Sequence, residues 1–202
     1  MERSTRFLSL SGLSGVIAGS LALIGALIAQ RYLRLHEVAS SDPRSSYDHA
    51  GASVYWDHVA FLASLAIATL ILSLAGAVWF TWRRSARTGE KMWDRSAKRF
   101  LVNLLIPLAC GGIFCIALVS HGSPALVPAA TLIFYGLALL NASKYTLDEV
   151  RWVGISELIL GSLAAFWIGA GLMFWALGFG VLHIFYGLLM YMRHERKAVE
   201  EQ

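Results

Sequence analysis

The sequence predicts an all-α fold, a polytopic membrane bundle of six transmembrane helices with both termini in the cytoplasm. Two observations carry this, the first being apolar length. Phe7 to Gln30 and Val59 to Trp82 are 24 residues each without a Lys, Arg, Asp or Glu, Phe100 to Ser120 supplies 21, and Pro124 to Ser143 supplies 20. Between Arg151 and Arg193 lie 41 residues whose only ionisable groups, tyrosines aside, are Glu157 and His183. A helix rising about 1.5 Å per residue needs roughly 20 residues to cross a hydrocarbon core of about 30 Å, so this last stretch holds two crossings.

The second observation is where the basic residues sit. Met1 to Arg6 holds two Lys/Arg, Arg83 to Arg99 seven, Lys144 to Arg151 two and Arg193 to Lys197 three. The alternate segments carry only Arg31, Arg34 and Arg44. Fourteen against three is a positive-inside asymmetry that places both ends of the chain in the cytoplasm, which requires an even number of crossings. The same distribution explains the net charge of +4 without a nucleic-acid partner. With 57% hydrophobic and 15% charged residues, and no gap between spans longer than the 27 residues from Arg31 to Asp57, residues 1–202 read as a single transmembrane domain.

The first span, 7–30, follows a basic lead that resembles a secretory signal. Its apolar run exceeds the roughly 7–15 residues of a signal core, so it reads as an uncleaved helix. Ser11, Gly15, Gly19 and Ala22 recur at steps of three and four, with Ala26 continuing the face. In lipid, such a face packs because small residues permit close backbone approach. It fits either another helix of this chain or a membrane-protein partner.

The outer segment, 31–57, is expected to prolong the first helix or lie at the interface. Ser41-Asp42-Pro43 breaks it, and Tyr47, Tyr55 and Trp56 suit the headgroup region. Span two covers 59–82. The basic inner loop, 83–99, spaces its charges at three- and four-residue steps, as suits a short interfacial helix on anionic lipid interrupted at Gly89.

Span three, 100–120, carries Pro107, which has no amide proton for the Asn103 carbonyl, and Gly111-Gly112 follows within about a turn. A freed carbonyl, an asparagine amide and two glycines can line a substrate cavity. Cys110 and Cys115 read as small core residues, since five positions on a helix point them apart. His121-Gly122-Ser123 makes a tight turn into span four, 124–143. Spans five and six, 152–170 and 172–192, form a second hairpin with its turn near Gly169-Ala170-Gly171. GLSGVIAGSLA at Gly12 to Ala22 and GISELILGSLA at Gly154 to Ala164 agree at seven of eleven positions, which a duplicated element or biased composition would both produce.

Ionisable groups inside a span are costly and face a bundle interior or an aqueous cavity. Glu157 shares a face with Gly161 and Ala165. It pairs with Arg151 or Lys144, or else binds a proton or cation. His183, at mid-depth in span six, needs a hydrogen-bond partner, and Tyr186 or Tyr135 can provide one. It is either a satisfied structural histidine or a ligand- or proton-binding group. His36, His49, His58 and His121 fall on the outer side, with Asp48 and Asp57 directly beside His49 and His58, but their spacing matches no metal motif. A haem would need a second histidine at the depth of His183. No cofactor is therefore expected, and metal or haem are the only candidates.

The segment SLSGLSGVIAG, Ser9 to Gly19, resembles the opening of small bacterial six-helix membrane proteins, which implies the inner (plasma) membrane. In topology alone the chain is similar to the substrate-binding subunits of energy-coupling-factor transporters. That resemblance implies docking through Ser11, Gly15, Gly19 and Ala22, with 31–57 as an outer loop. The leading expectation is a protein that binds or transports a small molecule between spans three, four and six, near Asn103, Tyr135, Glu157, His183 and Tyr186. A non-catalytic accessory subunit and an intramembrane enzyme built on the outer histidines are the alternatives.

Overall fold

The computed structural model describes residues 12–37, 49–88 and 95–195; among them every long element is helical and none is a strand. The helices are α1 (Gly12–Glu37), α2 (His49–Thr88), α3 (Arg95–Ser120), α4 (Val127–Ala142), α5 (Asp148–Phe166) and α6 (Ile168–Arg193). Among the described residues α1 and α6, the Tyr55–Arg83 part of α2, α3, and Pro124–Tyr145 around α4 are long and apolar enough to cross a membrane. This is the composition of a membrane protein. Helix α5 is shorter and more charged, with Asp148, Glu149, Arg151 and Glu157 in its 19 residues.

Neighbouring helices run antiparallel. Along α1 and α2, Tyr32 stacks on Phe61 and bonds His58, Gly25 faces Thr69, and Ile17 reaches Gly76. Along α3 and α4, Asn103 meets Asn141 and Gly111 meets Phe134. Gly136 and Gly154 place the backbones of α4 and α5 in contact. Helix α6 then lies against α5 on one side and α1 on the other. Gly12 faces Gly187 and Tyr191, Gly15 faces His183 and Gly187, and Gly19 faces Gly180 and Ile184. The small-residue face of α1 is thus covered by this chain's own last helix. Ala22 lies buried beyond it, and Ser11 falls outside the described residues.

Buried side chains concentrate where α4, α5 and α6 meet, around Ala129, Leu132 and Ala164 and around Leu139, Val150 and Val153. Helices α2 and α3 expose long apolar rows, among them Ile71, Leu74, Val78, Val102, Ile106 and Ile113. In lipid that exposure carries no penalty, because acyl chains are as apolar as leucine.

The turns follow from their sequences. Gly122, at φ +71°, ends α3: its N–H donates to Val119 and that of Ser123 to Leu118 at 2.8 Å. A left-handed residue satisfies the last helical carbonyls in this way, and Pro124 then opens the next turn. After α5, Trp167 leaves helical geometry, Ile168–Ala170 forms a tight turn, and Gly171 resumes helix against Pro128 and Ala125. This is the hairpin expected at Gly169-Ala170-Gly171.

The start of the segment 31–57 prolongs the first helix, one of its two expected courses: α1 continues to Glu37, and α2 begins at His49, leaving 38–48, with Ser41-Asp42-Pro43 and Tyr47, outside the described residues. Helix persists there because Tyr32, His36, His58 and Phe61 pack across α1 and α2 beyond the apolar core. Two expectations need correction. The basic segment 83–99 is not a separate interfacial helix in its described parts. Its start prolongs α2 to Thr88 and its end opens α3 at Arg95, while 89–94, including Gly89, lies outside the description. No proline interrupts either end, so the intrahelical hydrogen bonds simply continue. Cys110 is exposed and Cys115 half-buried, so neither is a core residue. Cys110 points away from the bundle, while Cys115, four residues after the Gly111 that seats Phe134, lies at the edge of the α4 contact.

Candidate functional site

Glu157 is the only ionisable side chain among the described residues that is completely buried. Its position follows from α5. Gly154 and Gly161 seat that helix on the α4 backbone, at Gly136 and Ile133, and Glu157 lies three and four residues from them on the same face. The carboxylate is carried into the core with them and meets α6 at Gly178. A Cβ there would collide with the Glu157 carboxylate and with Leu132, so only glycine leaves space for the acid. Neither carboxylate oxygen has a hydrogen-bond partner. His183 Nδ1 stands 3.5 Å from Oε1.

His183 is held from both sides. Its Nδ1 lies 3.1 Å from the Gly178 carbonyl and its Nε2 lies 2.8 Å from the Tyr135 hydroxyl. The two rings stack with centroids 5.4 Å apart, and Phe179 covers them at 5.9 Å from His183 and 5.0 Å from Tyr135. Gly178 and Phe179 belong to a π-helical stretch, Ala176–Leu182, in the middle of α6. Such wider turns recur at functional sites because they re-aim side chains and backbone groups.

The structure therefore joins Tyr135, Glu157 and His183. Tyr135 is the histidine's partner of the two tyrosines expected. Tyr186 packs one turn along α6 on the Leu139, Val150 and Val153 cluster, as Tyr135 also does. Asn103 stands apart from the trio. Its Nδ2 donates to Arg99 at 2.8 Å, and its carbonyl, deprived of a donor by Pro107, accepts from Asn141 Nδ2 at 3.1 Å. The freed carbonyl ties α3 to α4, and Gly111 seats Phe134. No ion pair joins Glu157 to Arg151 or Lys144: six residues separate Glu157 from Arg151, about 240° around a helix, and Arg151 lines a recess with Leu140, Ser143, Lys144 and Asp148. Among the described residues α5 and α6 are instead joined by an ion pair of Glu149 with Arg193 at 3.4 Å.

Sequence reasoning missed the approach of Glu157 to His183, the seat at Gly178, and Asn141. Glycines three before and four after Glu157 were the available signal for a deeply inserted carboxylate. At the far end of α1, His58 Nδ1 meets the Tyr32 hydroxyl and His36 Nδ1 the Tyr32 carbonyl, both at 2.8 Å, with the imidazoles 5.0 Å apart. His121 is exposed at the α3–α4 turn, and the His49 side chain lies outside the description. Among the described residues no three His, Cys, Asp or Glu side chains converge to hold a metal.

No protein-family model, curated protein or solved structure matches this chain. The functional reading rests on the site alone.

Proposed function

We propose that this is an integral membrane protein of six crossings that binds or transports a small molecule, using Glu157, His183 and Tyr135 as a cation-binding group in the bundle core. The supporting observation is the fully buried Glu157 carboxylate without a hydrogen bond, beside an imidazole. Buried without a cation, such a carboxylate penalises the fold by several kcal/mol, roughly, so its retention points to use rather than structure. Contact of Gly12 with Gly187 puts the start of α1 and the end of α6 at one end of the bundle, as an even number of crossings requires. The basic residues favour the cytoplasm for that end, and the first helix favours a bacterial plasma membrane.

Two measurements test this. Single cysteines at Ser123→Cys and Lys144→Cys, in a background lacking Cys110 and Cys115, should label from opposite faces of the membrane. Labelling from the same face removes the six-crossing topology. A thermal-shift screen of purified protein against small metabolites should find ligands that stabilise the wild type and lose that effect in Glu157→Gln and His183→Ala. Ligands that act equally on all three proteins would place binding elsewhere.

A further inference from the structure

We infer that the cation taken up at Glu157 is a proton, held on the carboxyl group itself with His183 as a neutral neighbour. This rests on the reading of Glu157, His183 and Tyr135 as the cation-binding group, and names the ion. The hydrogen bonds assign the imidazole. The Gly178 carbonyl can only accept, so Nδ1 carries the hydrogen that reaches it at 3.1 Å. Nε2 then accepts from the Tyr135 hydroxyl at 2.8 Å. A neutral histidine is fully satisfied in this tautomer and has no lone pair left for a proton from Glu157.

The carboxyl group must therefore be balanced by something it binds directly. Hard metal cations take about six to eight oxygen ligands, and they seldom shed all their water. Among the described residues no group of three His, Cys, Asp or Glu side chains forms around Glu157, and the nearby Gly178 carbonyl and Tyr135 hydroxyl already serve His183. Gly178 and Leu132 press against the carboxyl group too closely to admit a methyl carbon. A proton needs one oxygen and no added volume. Uptake breaks an O–H bond of a hydronium ion and forms one on Glu157, and release breaks that bond and returns the proton to water. On release, the Nδ1–H of His183, already 3.5 Å from Oε1, turns from the Gly178 carbonyl to the bare carboxylate. The other titratable group facing the pair is Tyr135, from α4; on α5 the nearest charge is Arg151, directed away to its own recess.

Infrared spectroscopy of the purified full chain reads this without a ligand. At neutral pH the spectrum should contain one protonated-carboxyl carbonyl band per chain, unchanged when sodium or potassium chloride replaces choline chloride. The band should move on uniform ¹³C-glutamate labelling and vanish in Glu157→Gln. The isotope arm needs no substitution, so it stands even where the variant fails to fold. A missing band, or one that sodium or potassium removes, overturns the proton assignment. Either result leaves the small-molecule reading to the thermal-shift screen, just as a screen without ligands leaves the band intact.

Discussion

Asn141 and the Asn103 carbonyl that Pro107 leaves without a donor form an interaction whose energy can be isolated. Pro107 has no N–H, so the Asn103 carbonyl one turn earlier lacks its helical donor, and Asn141 Nδ2 fills the vacancy from α4 at 3.1 Å. Side-chain hydrogen bonds between membrane helices average about 0.6 kcal/mol and reach about 1.7. A buried acceptor left unpaired loses about 1–3 kcal/mol. Asn141→Leu, which keeps the branching at Cγ and removes the donor, should therefore destabilise by about 1–2 kcal/mol. In a Pro107→Ala background residue 107 supplies its own N–H, and the same Asn141→Leu change should have an effect of less than about 0.5 kcal/mol. The four proteins form a double-mutant cycle, measured by reversible unfolding in mixed micelles. An equal loss in both backgrounds would show that Asn141 stabilises by packing alone and that the carbonyl never depended on it.

Four further outcomes follow from the packing and the trio. Gly19→Ala places a Cβ 2.5 Å from the Gly180 carbonyl oxygen, so it should lower stability by about 1–3 kcal/mol. Gly112→Ala meets nothing within 4 Å and should be neutral, or stabilising by up to about 1 kcal/mol, in the same unfolding assay. Tyr135→Phe removes the donor to His183 Nε2; it should shift that nitrogen's NMR resonance and lower stability by about 0.6–1.7 kcal/mol. Glu157→Gln should melt at or above the wild-type temperature, because the native oxygens have no hydrogen bonds to lose. A markedly lower melting temperature would mean the carboxyl group is a structural element.

Much of the scaffold was legible because hydrophobic length and charge placement are local properties. Gly122-Ser123-Pro124 marks a helix end by its own chemistry, and Gly15 and Gly19 announce a close-packed face. Sequence could not say which helix covers that face, since α2, α6 and a foreign helix satisfy it equally. The candidate site divides the same way. His183 and Tyr135 were legible as a donor–acceptor requirement at matching depth. The approach of Glu157 was not, because it depends on α5 being rotated by Gly154 and Gly161 onto α4 and on Gly178 leaving a seat in α6. Asn103 was singled out for its lost donor, but the replacement stands 38 residues away at Asn141. Helix ends ran past the apolar stretches at Arg31 and Arg83, where hydropathy stops but no residue breaks the backbone ladder.

The seam between α1 and α6 also sets a timetable for biogenesis. Gly19 leaves the ribosome about 160 residues before Gly180, its closest neighbour across the seam. At about 5–20 residues per second this amounts to roughly ten to thirty seconds of translation. Through that interval the glycine face of α1 lacks the helix that covers it in the finished bundle.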